Sequence, residues 1–126
     1  MDITPLIKEG QQIIQSYSAG SFKVNGTSYQ RSIIVFTDQT IEWGFSGVAR
    51  ELQVEDFAPV IDQVNHLDVV LLGTGARMEF VSSTLKSALR ERNITLDHMD
   101  TGAACRTYNV LVAEGRRVAA MLLPFV

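Results

Sequence analysis

Apolar positions along this chain follow two different periods, and the change from one to the other divides it. Ile41, Trp43 and Phe45 alternate with Glu42 and Gly44, the two-residue period of a strand with one buried face. Upstream, Asn25-Gly26 sits between Phe22-Lys23-Val24 and Thr27-Ser28-Tyr29. Both turn residues tolerate the positive φ of a type I′ turn, so a hairpin is expected there. Arg31 to Phe36 is a further β-branched run, followed by a turn at Thr37-Asp38-Gln39-Thr40. The N-terminal part therefore reads as an antiparallel meander.

From Val54 the period lengthens. Phe57, Val60, Ile61 and Val64 stand at i, i+3, i+4 and i+7, with Glu55 and Asp56 at the end where a helix dipole favours acids. Pro59 is tolerated because the first-turn amides have no intrahelical partner. Leu67 to Leu72 is expected as a strand, Gly73-Thr74-Gly75 as a loop, and Val81, Leu85, Ala88 and Leu89 as the stripe of a second helix that stops near Asn93. Ile94 to Met99 is a third segment of strand character. A longer helix then starts at Asp100 or Thr101 and stops at Gly115. Ala104, Cys105, Tyr108, Leu111 and Val112 fall on one side of it, while Arg106, Asn109 and Ala113 fall on the other. Val118 to Leu123, closed by Pro124, completes a β-α-β-α-β series, the pattern that builds parallel sheet through right-handed crossovers. The expected fold is α/β in a single domain, 1–126, with a mixed sheet: the antiparallel meander in the N-terminal part and a parallel βαβαβ unit in the C-terminal part.

Composition narrows the function more than the fold. The 126 residues are 46% hydrophobic, enough for one sizeable core, and carry a formal charge of −3 with no basic run, which disfavours nucleic acid as a partner. Cys105 is the only cysteine, so neither an internal disulfide nor a four-cysteine zinc site can form. His66 and His98 stand without a second histidine at ligand spacing, so no metal is expected. No apolar run approaches the roughly 20 residues of a membrane-spanning helix. The opening Met1-Asp2-Ile3-Thr4-Pro5 resembles neither an export signal nor an Arg-rich organelle leader. These features lead to the expectation of a bacterial or cytosolic protein, or a mature form, located in the cytoplasm.

Candidate chemistry gathers at one edge. If the strands before Gly73 and Asp100 are parallel neighbours, Gly73-Thr74-Gly75 and Asp100-Thr101 share a rim of the kind where open α/β sheets bind ligands. Arg77 and Arg106 lie close enough in sequence to hold a phosphate or carboxylate there. The third glycine of a dinucleotide fingerprint is replaced by Met78. Cys105 lies on the apolar face of its helix, which favours packing over nucleophilic catalysis, and no catalytic set is recognisable. Arg106 and Asn109, sharing the polar side of their helix with the small Ala113, are expected either to face solvent or to form a partner surface.

Leu71-Leu72-Gly73-Thr74-Gly75, followed by Met99-Asp100-Thr101-Gly102-Ala103-Ala104-Cys105-Arg106-Thr107-Tyr108-Asn109-Val110-Leu111 and Glu114-Gly115-Arg116-Arg117-Val118-Ala119-Ala120, resembles the Mth938-like domain family. That family includes mitochondrial complex I assembly factor 3 and the adipogenesis-associated Mth938 domain-containing protein. The resemblance spans nearly the whole chain, and its second motif is long and specific. It implies a compact three-layer α/β fold with no established enzymatic activity or cofactor. For the mitochondrial member it implies a role in assembling the respiratory NADH:ubiquinone oxidoreductase with a protein partner. The expectation is therefore a non-catalytic interaction protein, an assembly factor for that complex; the alternative is an anion-binding protein or enzyme using the rim.

Overall fold

In the computed structural model, which describes residues 10–125, eight strands form two sheets and three α-helices pack against them. The reading of Met1–Pro5 lies outside the described residues. Strands β1 (Ile14–Ser18), β2 (Ser21–Val24) and β3 (Thr27–Tyr29) make a small antiparallel sheet. The second sheet has the order β5-β4-β8-β6-β7, built from β4 (Ile33–Phe36), β5 (Thr40–Glu42), β6 (Val69–Gly73), β7 (Leu96–Met99) and β8 (Val118–Leu122). The chain is thus mixed α/β, with β6, β7 and β8 parallel and β8 antiparallel to β4.

The expected meander splits between the two sheets. Asn25 and Gly26 adopt φ of +47° and +84°, as a type I′ hairpin requires. Asn25 also anchors the turn: its Oδ1 accepts from Ile13 N at 2.7 Å and its Nδ2 donates to Gln11 O at 3.0 Å. The alternating stretch after the next turn ends as a strand at Glu42, because Gly44 turns the backbone to φ +82°. Trp43 is still buried, and its Nε1 donates to Asp56 O at 2.7 Å.

Each face of the five-stranded sheet carries its own core, as alternation along the strands demands. Ile34, Phe36, Val70, Leu72, Ala119 and Met121 point to one side, against Trp43, Phe57, Val60, Leu85 and Leu89. Ile33, Val35, Leu71, Val118, Ala120 and Leu122 point to the other, against Tyr108 and Val112 and against Ile14, Phe22 and Val24 of the small sheet. Three layers result. Helix α3 (Thr101–Ala113) and the small sheet cover one face, while α1 (Ala58–Ile61), α2 (Ser83–Arg90) and short helical turns cover the other.

The helix expected from Val54 through Val64 is instead three short pieces: a 3-10 turn over Val54–Phe57, α1, and a second 3-10 turn over Val64–His66. The apolar spacing buries Phe57 and Val60 as a helix would. Pro59 cannot donate an amide, and the run is too short and interrupted to propagate as one helix. Helix α2 follows the expected stripe, with Ser82 Oγ accepting from Leu85 N at 3.1 Å and Asn93 leaving at φ +66°.

Candidate functional site

Parallel pairing of β6 with β7 sets Gly73 opposite Met99, so the segments that follow both strands emerge side by side. They are tied together directly. Thr74 N donates to Met99 O at 2.8 Å, Thr101 N donates to Gly75 O at 2.9 Å, and Gly75 N donates to Thr101 Oγ1 at 2.8 Å. Thr101 Oγ1 in turn donates to Leu123 O at 2.6 Å, which brings the end of β8 into the same knot. The expected convergence of Gly73-Thr74-Gly75 and Asp100-Thr101 on one rim is what the geometry shows.

The glycines serve this closure. A Cβ at Gly73 would come within 2.8 Å of both Cα and Oγ1 of Thr101. Gly75 takes φ +111°, a backbone conformation that side chains resist. Thr74 is buried and organises the next loop: Oγ1 accepts from Glu79 N at 3.0 Å and donates to Arg77 O at 2.6 Å, with Met99 O a further 3.1 Å acceptor.

Helix α3 begins on this rim. Asp100 is its N-cap, its Oδ1 accepting from Ala103 N at 2.9 Å. Its other end closes around Gly115, φ +82°, with Gly115 N donating to Val112 O at 3.1 Å and Arg116 N to Leu111 O at 3.0 Å. Beside the N-terminus, Arg106 Nη1 donates to the Tyr17 hydroxyl, and the Tyr17 ring meets Phe125 edge-on at 6.0 Å. The Tyr17 hydroxyl lies 3.1 Å from where a Cβ on Gly102 would be. The small sheet is therefore seated against the start of α3.

An anion would find few free donors here. The amides of Thr74, Gly75, Thr101, Ala103 and Ala104 are already donated to groups of the rim itself, and the Asp100 carboxylate stands at the helix start. What remains for a partner is side chains. Arg77 and Arg106 are exposed, and so are Met78 and Phe80 on the loop that Thr74 organises.

One expected surface residue is corrected. Asn109 is 3% exposed and belongs to the interior: its Oδ1 accepts from Ile14 N at 3.0 Å and its Nδ2 donates to Ile14 O at 2.8 Å. At about 100° per residue it lies roughly 60° to one side of Arg106, where β1 crosses the helix, whereas Val110 lies roughly 40° to the other side. The outward stripe of α3 is accordingly Arg106, Val110 and Ala113, with Val110 56% exposed. Val110 is not legible as a surface residue in the sequence, because an apolar side chain in a helix signals the buried face.

Cys105 is fully buried and burial pushes its thiol up to about 12, so it packs as a small apolar group. His98, on β7, is lowered from the usual imidazole value, first by desolvation and then by nearby Lys86. Among the described residues, no three His, Cys, Asp or Glu side chains cluster in a way that could hold a metal ion. Nor is any helix among them long and apolar enough to cross a membrane.

Comparison with known proteins agrees with this architecture. Residues 14–123 match the family model described as a protein of unknown function (DUF498/DUF598). The NADH dehydrogenase [ubiquinone] 1 alpha subcomplex assembly factor 3 of Danio rerio is 32% identical over 112 residues, 89% of this chain and 64% of that protein. The chain thus spans less than two thirds of that relative's length. A crystal structure titled as an outer membrane protein from Bartonella henselae superposes with a TM-score of 0.83 at 34% identity, covering 93% of this chain and 98% of the other. A Bordetella pertussis protein described as a Mth938-like domain shares the fold, with a TM-score of 0.79 at 24% identity and coverage of 98% and 92%. The chain belongs to the DUF498/DUF598 family, is homologous to complex I assembly factor 3, and has the fold of Mth938-like domains.

Proposed function

We propose that this chain works by binding rather than by chemistry, as a cytoplasmic assembly factor that docks a protein partner during construction of a respiratory NADH dehydrogenase. The homology to vertebrate assembly factor 3, at 32% identity over 112 residues, carries the reading because it extends over 89% of the chain, and the family match over residues 14–123 takes in the rim and α3. The geometry supports it. A rim whose amides and hydroxyls satisfy one another is a rigid platform, and the exposed side chains it displays, Arg77 and Arg106 with Val110 along α3, mix charge with apolar area as docking surfaces do.

The test is deletion of the gene in its host, with complex levels and NADH-linked respiration measured and then complemented. Loss of assembled complex, rescued by the wild-type chain but not by Arg106→Glu with Val110→Glu, supports the reading. Unchanged complex levels overturn it. A second outcome would also overturn it: a thermal shift with inorganic phosphate, nucleotides or small carboxylates that disappears in Arg106→Ala, because the rim would then be an anion pocket using Arg77 and Arg106.

A further inference from the structure

Phe80 is 81% exposed, an extreme value for a large aromatic, and Met78 beside it is 48% exposed. Their display is fixed rather than accidental. Thr74 Oγ1 holds the loop through Glu79 N and Arg77 O, and Val81 turns inward to the core beneath α2. Successive residues of an extended segment point to opposite sides, so burying Val81 sends Phe80 outward.

Immediately beyond Phe80 the surface is concave. A groove of about 180 Å³ runs between α2 and the 49–54 segment, with Leu52 and Leu85 as its buried floor, Val54 and Ala88 as its walls and Arg50 at its edge. This volume is below the roughly 300–1,000 Å³ of small-molecule sites, and its size and apolar floor suit one large side chain. Ser82, two residues from Phe80, lines the same groove, so projection and recess lie together at the start of α2. Phe80 does not fill the groove of its own chain. A projection next to a matching recess on one face is what a two-fold axis requires, since each copy then offers both halves of the same contact.

We infer that this chain forms a symmetric dimer in which Phe80 of each copy enters the groove between α2 and the 49–54 segment of the other. Charges of both signs stand on each half, Arg77 and Glu79 around the projection and Arg50 with Glu51 at the recess, so opposite pairs are available across the axis. Two aromatic side chains burying roughly 150–250 Å² each, with Met78 added, stay below the roughly 1,200 Å² of stable complexes, so the dimer is a weak one. The inference is independent of the assembly reading, because it concerns self-association only.

Sedimentation velocity on the full chain, from about 1 µM to about 500 µM, spans the weak range and tests it. The expected result is a concentration-dependent shift from monomer to dimer. Phe80→Asp, on an exposed loop, and Ala88→Arg, in the recess, should each raise the dimer Kd at least about tenfold, while Val110→Asp on α3 leaves it unchanged. Thermal melts of the same samples confirm that each variant is folded. A wild-type chain that stays monomeric throughout, a dimer that survives Phe80→Asp, or one that dissociates with Val110→Asp overturns the inference.

Discussion

The Asn109 carboxamide pairs with both backbone groups of Ile14, accepting from its N at 3.0 Å and donating to its O at 2.8 Å. This is the pattern one strand residue offers another, supplied here by a helix. Strand β1 is an edge of the small sheet, and Asn109 covers part of that edge while joining the sheet to α3.

Removing either half of the pairing leaves a buried peptide group unsatisfied. Asn109→Leu should destabilise the fold by roughly 1–3 kcal/mol per orphaned group, and Asn109→Asp should cost nearly as much because a carboxylate cannot donate to Ile14 O. Urea denaturation compares the three proteins. A change in Asn109→Leu within experimental error would show that water replaces the side chain at β1.

What the sequence disclosed, and what it did not, follows from which interactions are local. Helix α3 was readable because Asp100 and Gly115 are end signals that act within one turn. The rim was readable because parallel strands separated by one helix leave their following loops on one edge. Strand β1 was not. Ile14 and Tyr17 are both buried although three apart, since a bulge between Ile14 and Ser16 shifts the register and breaks the two-residue period. The burial of Asn109 depends on where β1 crosses α3, a contact between residues 95 apart, and no window along the chain contains it. The exposure of Phe80 is hidden from the sequence for a related reason: it follows from Val81 being drawn into the core, which is decided by tertiary packing.

Thr101 should be the least replaceable hydroxyl at the rim. It is fully buried, and its Oγ1 joins Gly75 N to Leu123 O. Thr101→Val keeps the shape but strands both groups, so a loss of roughly 1–3 kcal/mol is expected, whereas Thr101→Ser should recover most of it. Thermal unfolding of the pair distinguishes a hydrogen-bonding role from a packing one, since packing alone predicts that valine is the milder change.

Gly73→Ala tests the same closure sterically. The added methyl would sit 2.8 Å from Thr101 Cα and 3.2 Å from Leu122 Cδ2, and backbone cannot yield as a side-chain end can. Overpacking of this kind costs about 1–3 kcal/mol. The loss should shrink when Thr101 is also shortened to Ala only if Oγ1 is the principal obstacle, so the double mutant cycle by urea denaturation apportions the clash between side chain and backbone.

Arg117 holds Asp68 through Nη2 to Oδ1 at 2.8 Å and Nε to Oδ2 at 3.3 Å, with Arg117 N adding a bond to Oδ2 at 3.0 Å. Hydrogen bonds from the guanidinium, then from the backbone, lower the Asp68 carboxyl from 3.8 to about 2. Because the folded value lies below the unfolded one, the pair's stabilisation is complete above about pH 4 and is lost as pH falls toward 2. The pair is exposed, so salt should weaken the effect. Asp68→Asn should flatten this part of the stability–pH curve, measured by urea denaturation between pH 5 and pH 2 at low salt; a variant curve parallel to wild type would assign the acid sensitivity to other carboxyls.

Cys105 supplies the opposite sign at alkaline pH. Its thiol is raised from 9.0 to about 12 by burial, so the folded state keeps a proton that the unfolded state gives up near pH 9. Stability linked to this group is full below about pH 9 and falls as pH climbs toward 12. The native thiol should therefore resist a thiol-exchange reagent at pH 8 and react stoichiometrically once urea unfolds the chain. Cys105→Ala should remain folded, lose the reaction, and show a shallower alkaline decline in stability. Rapid labelling of the native protein, at a rate unaffected by added stabilising salt, would mean that α3 opens locally at its first turns without global unfolding.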